Sequence, residues 1–149
     1  MTYHQRLQAE ILAFSQATTW DKAKDEWKLE SIYMSQNQTC TCGYHPISEV
    51  CVIINEVNKE TTEVGNCCVK RFLKLPSETL FAAARRVRAD TGRSLGEDTV
   101  TFAREKNWIS EWEANFYEST GRKRKLSSKQ ADIRRRINEK FLRRLVRSE

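Results

Sequence analysis

All five cysteines of this 149-residue chain fall between positions 40 and 68: Cys40, Cys42, Cys51, Cys67 and Cys68. Thiols gathered that closely tie a chain together either through disulfides or through a metal, and an odd number within about thirty residues reads as a metal site with one thiol to spare. Cys40-Thr41-Cys42-Gly43 has the form of a knuckle, two thiolates followed by a glycine that lets backbone amides turn toward the sulfurs. Cys67-Cys68 stands at an expected helix start, where the helix dipole favours thiolate. Alternation along the preceding strand sets Val50, Val52 and Ile54 on one face and Cys51, Ile53 and Asn55 on the other, and pairing with the return strand would bring Cys51 alongside Cys68. Only one of the adjacent pair is expected to face a metal. The expected ligands of a closed, structural Zn2+ site are Cys40, Cys42, Cys51 and Cys68, with His45 or Cys67 as substitutes.

The knuckle is embedded in a β-rich stretch. Trp27 to Met34 reads as a strand leading to the cysteines, and 46–65 reads as a hairpin: Ile47 to Ile54 outward, a turn from Asn55 to Glu60, and Thr61 to Val64 returning. Before it, Leu7, Ile11 and Phe14 at helical spacing predict an amphipathic helix over 4–17, and Thr19 with Asp21 predicts a capped short helix through Trp27. After it, Val69, Phe72 and Leu73 share one side of a helix ended by Pro76. Ser77, Ser110 and Ser127 each follow an apolar residue closely and resemble caps, so helices are expected near 77–90, 97–106, 110–119 and 127–147. Trp108, Trp112 and Phe116 lie four apart, which predicts a buried helix face rather than a surface that stacks on bases. The expected fold class is α+β, a zinc-stapled, zinc-ribbon-like β-hairpin flanked by N-terminal helices and a C-terminal helical bundle. Two domains follow, 1–75 and 76–149. In the first, a metal would replace the core that about 45 residues cannot supply alone.

Charge is divided unevenly along the chain. The formal net charge is +6, yet residues 121–149 carry twelve basic and three acidic residues, leaving −3 for residues 1–120. Placed on a helix, Leu126, Ile133, Ile137, Phe141 and Leu145 form an apolar stripe. Beside it, Lys129, Arg136, Lys140, Arg143 and Arg147 fall within about 60° of one another. Such a ridge can follow the phosphates of DNA or RNA, with salt-dependent affinity from counterion release. Arg134 and Arg144 intrude on the stripe and are expected to snorkel or to meet carboxylates of the 110–119 helix.

The inventory disfavours an enzyme. His4 and His45 are the only histidines, there is no glycine-rich phosphate loop, and the deaminase pattern of His-x-Glu with Cys-x-x-Cys does not occur. No catalytic residue is assigned; a metal-dependent nuclease is the enzymatic alternative. The longest apolar run, Val50 to Ile54, is far below the roughly 18 residues of a membrane span. No signal peptide is visible, so no membrane partner is expected and a cytoplasmic location is.

Cys40-Thr41-Cys42-Gly43, Pro46-Ile47, Cys51-Val52-Ile53-Ile54-Asn55 and Val64-Gly65-Asn66-Cys67-Cys68-Val69-Lys70-Arg71-Phe72 together resemble small zinc-ribbon-like proteins frequent in bacteriophage and prophage genomes, over about a fifth of the chain. The resemblance implies a phage-type origin, hence a host cytoplasm, and a metal site more than a reaction. The expected function is a non-enzymatic zinc-binding, nucleic-acid-binding accessory protein. The alternative is a protein that binds and modulates a host nucleic-acid enzyme or defence factor.

Overall fold

The computed structural model describes residues 1–147, so the expected domain 76–149 ends two residues beyond them. Those residues form a mixed α+β protein of seven helices, α1 to α7, and one three-stranded antiparallel sheet in the order β1-β2-β3. The chain divides into two compact units, Met1–Glu78 together with Arg147, and Thr79–Val146.

The N-terminal unit opens with α1 (Tyr3–Ala13), started by a capping box in which the Thr2 hydroxyl accepts from Gln5 N–H at 3.1 Å and Gln5 Oε1 accepts from Thr2 N–H at 2.9 Å. Leu7 and Ile11, one turn apart, are fully buried. The helix stops short of residue 17 because the Gln16 and Ala17 amides turn to the Glu26 carboxylate, at 2.9 and 2.8 Å, instead of continuing the helical ladder. A single turn, α2 (Trp20–Ala23), and a 3₁₀ turn (Lys24–Glu26) lead into β1 (Trp27–Gln38). Thr19 occupies the N-cap position of α2 without making a side-chain cap.

β1 pairs with β2 (Ile47–Asn55), and β2 with β3 (Thr61–Gly65), so the strand before the knuckle joins the hairpin as a third member. The inner row of β2 is Cys51, Ile53 and Asn55, all fully buried, with Val50 buried too. Asn55 accepts from the Val57 amide at 2.9 Å and donates to Glu26 at 2.9 Å, which fastens the turn. After β3 the chain makes one helical turn, α3 (Asn66–Cys68), and a π-helical turn (Val69–Leu73), ending at Lys74 in the left-handed region before Pro76.

The helical unit holds most of α4 (Ser77–Ala89), then α5 (Glu97–Glu105), α6 (Glu111–Thr120) and α7 (Ser128–Arg144). Ser110 and Ser127 cap α6 and α7 through boxes with Glu113 and Gln130. Ser77, the first residue of α4, is fully buried and donates to Asn66 Oδ1 at 2.6 Å. The Tyr117 hydroxyl accepts from Leu95 N–H at 3.3 Å and donates to Asn138 Oδ1. Asn138 in turn donates to the Thr91 and Arg93 carbonyls at 2.8 and 2.6 Å, which ties the loop before α5 to α6 and α7.

The buried face of α6 is Ala114, Tyr117 and Thr120, not the expected Trp108, Trp112 and Phe116. α6 starts only at Glu111, so Trp108 precedes the helix and packs between Phe102 and Phe141, out of step with the other two. Trp112 is 61% exposed and stacks on Phe116, with centroids 5.8 Å apart and planes 18° apart. Arg134 neither snorkels nor meets a carboxylate. It is buried with its guanidinium 5.6 Å from the Tyr117 ring centroid, its Nε and Nη2 having no hydrogen-bond partner among the described residues. Arg144 is exposed.

Candidate metal centre

The knuckle owes its shape to backbone bonds. Gly43 N–H donates to the Cys40 carbonyl at 2.8 Å and Cys40 N–H to the Tyr44 carbonyl at 2.9 Å, a reversal that places Gly43 at φ 97°. A side chain there would be strained, and its Cβ would come within 2.9 Å of the Arg6 guanidinium. Thr41 fastens the turn to β3, donating from both its amide (3.0 Å) and its hydroxyl (2.6 Å) to the Glu63 carbonyl.

This turn brings Cys40 and Cys42 to Cys68 at the end of α3, so that the three sulfurs lie within 4.8 Å of one another. Backbone amides point at them as the glycine-ended knuckle predicts. Cys42 N–H and Gly65 N–H approach Cys40 Sγ at 3.4 and 3.2 Å, and Tyr44 N–H approaches Cys42 Sγ at 3.4 Å. Three soft donors, two of them already supplied with N–H bonds, fit a thiophilic cation, and these residues could hold a metal ion. Crowding is visible in the proton affinities. A hydrogen bond from Cys68, outweighing burial and helped by the Gly65 and Cys42 amides, pulls the Cys40 thiol down to about 6. The same hydrogen bond with Cys40, together with burial and the neighbouring charges, pushes Cys68 up. Burial pushes Cys42 up. Sulfurs this close cannot all ionise unless a cation offsets their repulsion.

Cys51, expected as the fourth ligand, lies outside this group. It pairs with Ile32 on one side and Val64 on the other and belongs to the fully buried row of β2. Burial pushes its thiol up to about 12 against a hydrogen bond with Ser77, so Cys51 behaves as a small core residue. The substitutes are not in the group either. Cys67 is exposed, and exposed His45 has its Nδ1 held by the Thr39 hydroxyl at 2.8 Å.

The three thiols line a cleft of about 830 Å3. Its other walls include the His4 ring stacked on Phe72 (centroids 3.9 Å apart), the edge-on pair Tyr3 and Tyr44, and Arg71, whose guanidinium sits 5.2 Å from the Phe72 centroid. Glu49 also lines it, accepting from Asn66 Nδ2 at 3.1 Å. Sequence reasoning did not find this cleft, because its walls come from α1, the knuckle and the π-helical turn, which are distant in sequence.

The expected cationic ridge is divided by the fold. Lys129, Arg136 and Arg143 are exposed on α7 and have no partner among the described residues. Lys140 is paired with Glu113 at 2.8 Å. α7 ends at Arg144, so Arg147 is off the helix; it belongs to the N-terminal unit, where it meets Glu63 at 3.2 Å and lies 4.1 Å from the Tyr33 ring centroid. No helix of the described residues is long and apolar enough to cross a membrane. Comparison with known protein families, with curated proteins and with solved structures finds no match for this chain.

Proposed function

We propose that this is a non-enzymatic accessory protein that binds nucleic acid through its helical unit and holds a structural Zn2+ in a ribbon-like N-terminal unit. The observation that carries the first half is an aromatic pair beside a cationic edge. Trp112 and Phe116 stack on the exposed side of α6. Glu113, between them in sequence, holds Lys140 of α7 at 2.8 Å. Phe116 lies about 60° from Glu113 around α6, so the aromatics flank the side on which Lys140 arrives, and Arg136 and Arg143 stand one turn either way from Lys140. Cations along a backbone with an aromatic platform beside them suit single-stranded nucleic acid, whose unpaired bases offer stacking faces. Zn2+ is favoured for the thiols because all the donors are soft and a d¹⁰ ion accepts tetrahedral sulfur without redox chemistry. The motif likeness to phage zinc-ribbon proteins supports a phage-type origin.

The test is fluorescence anisotropy with a labelled single-stranded oligonucleotide and the matching duplex, titrated at rising salt. Three phosphate contacts predict a log–log salt slope of about −2 on the single strand. Joint charge reversal at Lys129, Arg136 and Arg143 should abolish binding. Trp112→Ala should weaken the single-strand complex by about 1–3 kcal/mol and the duplex complex less. Affinity that ignores salt and both changes would overturn the reading, and a stoichiometric, nuclease-resistant protein partner would replace it with the modulator.

A further inference from the structure

We propose that the metal centre is an open one: Cys40, Cys42 and Cys68 supply three thiolates, and the fourth position faces the cleft and takes an exchangeable neutral donor, water at rest and a planar nitrogen heterocycle when one is present. It rests on the proposed metal reading, whose closed structural sphere it replaces with an open one, so that absence of bound Co2+ would overturn both and bands indifferent to imidazole this proposal alone; it is independent of the nucleic-acid reading, which concerns the helical unit.

Two observations carry it. The chain brings three sulfurs within 4.8 Å, and no other cysteine, histidine or acidic side chain among the described residues joins that group. Cys51 is sealed in the sheet's inner row, and the His45 Nδ1 is held by Thr39. Exposed Cys67 lines the same cleft, as do His4, whose ring stacks on Phe72, and Glu49, which accepts from Asn66 Nδ2, yet none of them lies within the group of three sulfurs. The second observation is the cleft itself, which all three ligand residues line. A closed structural site is wrapped by its own chain, whereas an open one needs room for a further donor beside the metal; about 830 Å3 is ample for a small molecule.

The chemistry of the donor follows from charge and shape. Three thiolates on a divalent cation leave one net negative charge, so a neutral donor adds no repulsion where an anion would. The amides of Gly65, Cys42 and Tyr44 already bond to the sulfurs, and Arg71 stands at the wall, which makes that charge tolerable. Tyr3, His4, Tyr44 and Phe72 make the cleft wall largely aromatic, a lining beside which a planar heterocycle loses little by leaving water. Binding is simple ligand exchange at the metal: the donor's lone pair replaces that of water, with no change in oxidation state.

Co2+ loaded into the full-length protein reads this out, since thiolate charge-transfer bands count the sulfurs and d–d bands report the fourth ligand. We expect one Co2+ per chain and three-thiolate intensity, unchanged in Cys67→Ser and in His45→Ala, with imidazole shifting the d–d bands saturably in all three proteins. Cys42→Ser should lose a third of the charge-transfer intensity or the ion altogether. A loss of one quarter in Cys67→Ser, or an imidazole response that appears only in a variant, means that the chain closes its own site and overturns the proposal. Bands indifferent to imidazole throughout, or no bound Co2+, overturn it equally.

Discussion

Cys42 and Cys51 are both buried thiols nine positions apart, and they answer to different physics. Cys42 shares a cluster with Cys40 and Cys68, while Cys51 fills a place between Ile32 and Val64 on neighbouring strands. Cys51→Ala should therefore leave metal stoichiometry unchanged and cost about 1 kcal/mol of stability through the small cavity it opens. Cys42→Ser should lower metal affinity by at least about tenfold, because it removes a proposed ligand whose binding free energy would also be folding free energy. Metal analysis of the purified variants, with denaturant titration in excess Zn2+, separates the two effects. The sequence identified both as thiols near a knuckle. It did not reveal that the inward row of β2 is the Cys51 row, since alternation defines two faces without saying which of them meets the core.

Among the elements, one carboxylate fastens the end of α1 to the end of β2, beside the Asn58 bond to the Phe14 carbonyl at 2.8 Å. Glu26 accepts from the Gln16 and Ala17 amides and from Asn55 Nδ2. The Asn55 bond most of all, then the Gln16 amide, against burial and helped by the Ala17 amide, holds its pKa below the ordinary 4.5. A carboxylate whose folded pKa is depressed contributes stability that is fully present above the ordinary value and is lost as pH falls through the lowered one. The N-terminal unit should accordingly loosen below about pH 4.5, with the Gln16 and Ala17 amide resonances titrating together at a midpoint under that value. In Glu26→Gln that shared titration should vanish. Element boundaries were largely legible: β2, β3 and the four C-terminal helices lie within a few residues of their expected spans, because hydrophobic period, serine caps and turn residues are local signals. The misreadings involve tertiary partners. Glu26 ends α1 early, and α6 starts too late for Trp108 to join the row of Trp112 and Phe116.

At the level of the whole molecule, the proposed metal predicts that the two units respond differently to its loss. The thiol cluster lies wholly within the N-terminal unit, whereas the helical unit has its own core of Phe81, Val87, Leu95, Ile137 and Phe141. Metal at a hundred times its dissociation constant adds about 2.7 kcal/mol to whatever unit it stabilises. A strong chelator should lower the melting temperature of the N-terminal unit and leave helical circular dichroism from the other largely in place. A single unshifted transition with and without chelator would show that the unit folds without metal. The sequence by itself determined the elements and the concentration of thiols and of positive charge, because those are properties of short segments and their composition. Tertiary structure alone decided that three sulfurs converge rather than four, that Cys51 and Arg134 are buried, that Trp112 is exposed, and that Lys140 and Arg147 are committed to Glu113 and Glu63. Each of those depends on which neighbour arrives from a distant part of the chain, and a local pattern carries no record of that.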